Sequence, residues 1–93
     1  MLDPVVKNIL ELIPEGSVQV RTLVYLKSLL TKMATAKTEE TGWRHRYELQ
    51  GALNALEIQG AISVQTLDVI SRAVRDVWQP LARNFVVSRM SAA

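Results

Sequence analysis

The sequence of 93 residues contains no cysteine and one histidine. With no thiols, disulfides and thiolate metal sites are excluded. His45 stands between Arg44 and Arg46, which repel a cation, and a zinc site there would need several converging carboxylates. His45 also lacks the orienting carboxylate and nucleophile of a catalytic base; Glu48, three residues on, has the spacing of an ordinary surface pair. The four glycines are scattered, so the chain has neither a phosphate-binding loop nor a dinucleotide fingerprint. Charge of one sign is also scarce. Eleven Lys and Arg against nine Asp and Glu leave +2, too little by itself to mark a nucleic-acid binder. No apolar run approaches the roughly 20 residues of a membrane span. The opening stretch, Met1 to Val6, carries Asp3 and Pro4 where a secretory signal would have basic residues ahead of an apolar run. These absences lead us to expect a soluble, cytoplasmic, non-enzymatic protein without cofactor, metal, membrane or small-molecule substrate.

What the chain does have is apolar content. At 48% hydrophobic and 22% charged residues, it has the composition of one folded domain over residues 1–93. A body of this size removes only roughly 60 to 65% of its extended surface from water. So much apolar content in so small a body points to burial against another chain, and a homodimer is expected.

Asp3 and Pro4 form a helix start, with a capping carboxylate and a proline in the first turn. Val6, Ile9, Leu10 and Ile13 supply its apolar face, and Pro14, Glu15 and Gly16 end it. Ser17 is a candidate cap for a second helix, whose stripe is Val20, Leu23, Leu26, Leu30 and Met33, widened by Val24 and Leu29. Alternating Val18, Val20 and Thr22 offer a short strand as the alternative. Ala34 to Gly42 reads as a polar connection, and a third helix starting near Thr38 or Thr41 runs to about Gln59. The central stretch Tyr47–Val77 organises the rest. Leu49, Ala52, Leu53 and Leu56 lie on one helix face, Gly60 ends that helix, and Ser63 caps the next. Leu67, Ile70, Val74, Val77 and Leu81 then form a seam of heptad type. Pro80 removes a helix hydrogen bond, so the fourth helix should kink or break near Trp78, with a fifth helix over Leu81 to Met90 if it breaks.

Two stretches carry the functional expectations. Trp43, Arg44, His45, Arg46 and Tyr47 interleave rings with positive charge, a patch suited to an acidic protein surface or to phosphates and bases. In the same run, Trp43 and Tyr47 are four apart and so placed to share a core face, with the arginines solvated. Beyond Pro80, Phe85, Val86 and Val87 are consecutive and apolar, too many for one narrow stripe, and Trp78, Leu81, Phe85, Val86 and Met90 are the expected dimer interface.

The order Gly60, Ala61, Ile62, Ser63, Val64, Gln65, Thr66, Leu67 resembles the turn and recognition-helix start of helix-turn-helix DNA binders. The turn is one residue longer than in that pattern, and Leu56 stands where a small residue is usual. The resemblance implies that Gln65, Thr66, Asp68 and Arg72 would face the major groove, with Arg75 near the backbone. The same Gly and Ser also suit an αα-hairpin, in which Asp68–Arg72 and Arg72–Asp76 are ion pairs on a solvated face. The expected architecture is an all-α bundle of four or five helices. The expected role is an interaction or regulatory module that binds a protein partner, of the type common among phage and plasmid accessory factors, with DNA binding as the alternative.

Overall fold

The computed structural model describes residues 2–92, and the side chains of 4–91. It is an all-α bundle of four helices: α1 Leu2–Leu10, α2 Val20–Ala34, α3 Glu39–Ile58 and α4 Val64–Ala92. Their apolar faces meet in one core, in which Leu26, Leu30, Met33, Leu49, Leu53 and Ile70 are fully enclosed. Among the described residues there is no strand, so the alternating residues from Val18 to Thr22 do not pair as one. Among the described residues no helix is long and apolar enough to cross a membrane.

Local chemistry accounts for most helix ends. Thr38 is the N-cap of α3, its hydroxyl oxygen accepting from the Thr41 N–H at 3.2 Å, and Glu39 and Glu40 occupy the first turn, where carboxylates suit the positive end of the helix dipole. Ser63 does the same for α4, accepting from the Thr66 N–H at 3.0 Å. Between them, Gly60 takes φ +78°. Its N–H donates to the Glu57 carbonyl and that of Ala61 to the Leu56 carbonyl, both at 2.9 Å, which is the Schellman closure. A side chain at Gly60 would strain this turn.

Other ends differ from the sequence expectation. The first helix begins at Leu2 rather than after Asp3, and the Asp3 side chain lies outside the described residues. Ser17 does not cap α2: its hydroxyl donates to the Pro14 carbonyl at 2.7 Å, and α2 starts after Gln19 with no side-chain cap. Ser17 stands two positions before the N-cap, Gln19, out of step with the first free N–H groups of α2.

The stripe on α2 also has a different width. Leu26, Leu29, Leu30 and Met33 are buried, but Val20 and Val24 are 75% and 61% exposed. Two successive three-residue steps, Val20 to Leu23 to Leu26, each rotate the helix face by about 60° in the same sense. The first member is therefore turned out of the core. On α4 the four-residue steps Ile70, Val74 and Trp78 do reach the core, each 2% exposed. Leu67, Val77, Leu81 and Phe85 flank them, half-buried. The helix continues through Pro80, which lies inside it on the exposed side. The carbonyl that proline leaves without its helical donor is accessible to water there.

Candidate partner-binding groove

The helices α3 and α4 run antiparallel. Gln50 Nε2 donates to Ser71 Oγ at 3.3 Å in the middle of α3, Trp43 and Trp78 meet closer to its start at 5.0 Å between ring centroids, and Arg89 pairs with Glu39 at its first residue at 2.9 Å. Contacts that continue from the middle of α3 to its start describe a helix hairpin. The helices of a helix-turn-helix diverge at roughly 90–120°, which would confine such contacts to the turn.

Trp78 reaches α3 because Gly42 has no side chain. A Cβ at that position would lie 2.5 Å from two ring carbons of Trp78. The indole fills this notch, meets Trp43 edge-on, and lies 6.3 Å from the ring of Phe85. Trp78 is thus packed within its own chain at 2% exposure. Of the other C-terminal residues assigned to a dimer contact, Leu81 and Phe85 are half-buried against the core, while Val86 and Met90 are exposed.

The basic aromatic run divides among different environments. Arg44 is exposed, and Tyr47, at 67% exposure, lies outside the core face. Its ring stacks on Trp43 with centroids 5.4 Å apart. The guanidinium of Arg46 lies over the other aromatic neighbour, 5.5 Å from the Trp43 ring, a cation–π arrangement. The His45 side chain is only 14% exposed, with Nδ1 3.8 Å from a Glu48 carboxylate oxygen, too long for a hydrogen bond. His45 is drawn inward because it stands one turn before the buried Leu49, on the same face.

Beside Trp78 the two helices leave an open groove of about 570 Å³. Trp43 and Arg46 line it from α3, and Arg75, Gln79, Ala82, Arg83, Val86 and Val87 from α4. Its surface is mainly apolar, and none of its lining residues is acidic. Burial holds the Arg46 guanidinium below its usual range, with the charge of Arg75 acting in the same direction and Tyr47 against it. Arg46 Nη1 and Trp78 Nε1 are both buried without a hydrogen-bond partner. An unpaired buried donor costs about 1–3 kcal/mol, a penalty that the packing around Trp78 offsets.

No protein-family model, curated protein or solved structure matches this chain. Its site has to be read from its own residues. The structure brings together two stretches that the sequence keeps at least 29 positions apart. Sequence reasoning missed Arg83, although Arg75, Gln79, Arg83 and Val87 follow one another at four-residue steps, the signature of a single helix face. Gly42 was missed too, because nothing local signals that a tryptophan 36 positions later will fill its space.

Of the residues that a helix-turn-helix would use, Arg75 lines the groove, whereas Gln65, Thr66, Asp68 and Arg72 lie elsewhere on α4. Gln65 is exposed and Thr66 half-buried. Arg72 is engaged by Asp68 at 2.9 Å, and Arg75 has Asp76 at 4.0 Å. No three acidic or histidine side chains gather among the described residues in the manner of a metal site.

Proposed function

We propose that this protein is a non-enzymatic interaction module, acting in a regulatory role by binding another protein through the face shared by the start of α3 and the second half of α4. The observation that carries the reading is that Trp43 and Arg46 of the basic aromatic run and Trp78 and Val86 of the C-terminal set line one groove. Protein interfaces favour this combination of tryptophan, tyrosine and arginine around apolar contacts. DNA binding has less support, because Asp68 occupies Arg72 and presents negative charge on the face that would meet phosphate.

The module is tested by capture from the native host with immobilised protein, comparing wild type with the double variant Arg44→Glu/Tyr47→Ala. Both side chains are exposed, so the variant should keep its helical circular dichroism. A protein retained by wild type and lost by the variant is expected. Equal retention, or none, would count against the reading.

We also propose self-association through the apolar end of α4 beyond the groove, supported by Met90 at 73% exposure. Light scattering after size exclusion should show a dimer for wild type and a monomer for Met90→Asp. Phe85, half-buried against Trp78, is unsuited to this test because a charge there would disturb the fold. A wild-type monomer at high concentration removes the dimer.

A further inference from the structure

The geometry points to an acidic amphipathic segment of a partner protein as the occupant of the groove between α3 and α4, its apolar side on Trp43, Ala82 and Val86 and its carboxylates on Arg46, Arg75 and Arg83.

Charge selects this occupant. Three guanidinium groups border a groove that has no acidic lining residue, and Arg83 has no ion-pair partner among the described residues. Burial disfavours the charge on Arg46, with Tyr47 opposing that effect and the smaller influence of Arg75 adding to it. A carboxylate placed between Arg46 and Arg75 would meet both positive charges, in the bidentate manner that guanidinium groups favour.

The apolar walls narrow the choice further. Nucleic acid would set phosphates against the same arginines, but it has no aliphatic face to cover Val86 and Val87. A second copy of this chain would bring its own arginines to a two-fold contact, where like charges meet. A helix with leucine or phenylalanine on one side and glutamate on the other satisfies both halves of the site, and seating such a face in an apolar groove is a common mode of peptide recognition. The stripe extends past the groove, since Met90 lies one turn beyond Val86 and Val87.

The protein carries its own reporter, because Trp43 and Trp78 are its two tryptophans and both line the groove. The probe is a synthetic peptide of about 18 residues, five helical turns, with leucine and phenylalanine on one face and glutamate on the other. Titration into the full-length protein should change tryptophan emission saturably and weaken with added salt. Arg83→Glu and Val87→Asp, both at exposed positions, should each weaken binding by about tenfold or more, the fold-change of one lost charged or apolar contact, with helical circular dichroism unchanged.

A scrambled peptide of the same composition should not bind. The assignment is overturned if the probe gives no saturable response, if the scrambled peptide binds as well, if Arg83→Glu binds as wild type does, or if duplex DNA or phosphatidylglycerol vesicles displace the probe. This inference rests on the protein-binding reading, and the two fail separately. Absence of any retained host protein removes that reading, whereas a retained protein with an unresponsive groove removes only this one.

Discussion

Trp78→Ala should remove about 3–5 kcal/mol of folding stability, the usual cost of emptying a buried aromatic site. The indole is 2% exposed and fills the notch at Gly42 between the rings of Trp43 and Phe85. No small movement of one neighbour closes that space, since its walls come from α3 and from α4 on both sides of Pro80. A domain of this size has about 5–15 kcal/mol in total, so the variant should unfold at much lower denaturant concentration. Trp78→Phe should lose less. It keeps an aromatic body in the notch and deletes the indole N–H that has no partner, and losing an unsatisfied donor partly offsets the lost volume. Guanidinium unfolding followed by circular dichroism measures both. A loss below about 1 kcal/mol in Trp78→Ala would mean that the ring is not the wedge described above.

Gly42→Ala should cost about 1 kcal/mol, although alanine is the better helix former. Two effects of opposite sign compete. Alanine in place of glycine inside a helix gains about 1 kcal/mol. The new methyl group would stand 2.5 Å from Cη2 and from Cζ3 of Trp78, well inside the roughly 3.5–4.0 Å of a favourable carbon contact. The ring is enclosed and cannot swing away freely, so overpacking of about 1–3 kcal/mol outweighs the propensity gain. Gly51 is the internal control. It lies in the same helix with nothing within 4 Å of its Cβ position, so Gly51→Ala should stabilise by about 0.5–1 kcal/mol. In a Trp78→Ala background the cost at Gly42 should vanish and reverse sign, because the two residues share one contact. If both glycine substitutions stabilise equally in the wild-type background, the indole does not sit on Gly42.

These two experiments fall on features that the sequence reveals to different degrees. The number of helices and most of their ends follow from local rules: Thr38, Gly60 and Ser63 each act within one turn of themselves. The inward face of α4 is equally legible, since Ile70 and Val74 repeat at the helical step and Trp78 continues it. Pro80 weighs against continuity at the local level, yet α4 runs through it, with tertiary packing of Leu81 and Phe85 on the far side holding the helix in register. The candidate site was legible only in part. Trp43, Arg46 and Val86 stood out as types of residue, but that they share one groove is a consequence of the antiparallel pairing of α3 with α4. The inward placement of His45 and the outward placement of Tyr47 depend on which way α3 is rotated. Leu49 and Leu53 set that rotation, and a run of five alternating polar and aromatic residues does not reveal it.

The 29 residues of α4 span about 43 Å at 1.5 Å per residue, against a longest dimension of 48 Å for the whole protein. Its first half is anchored by Ile70 and Val74 in the core, whereas beyond Phe85 the named attachment is the solvent-accessible Arg89–Glu39 pair. Backbone amides should accordingly report a gradient of protection along one continuous helix, slowest to exchange near Ile70 and fastest toward Ser91. The groove lies where that gradient falls away. An occupant bridging Arg46 and Arg83 would splice the loose end of α4 to α3 and flatten the gradient, so that recognition would register in the hydrogen-exchange pattern several turns from the core without any change of fold.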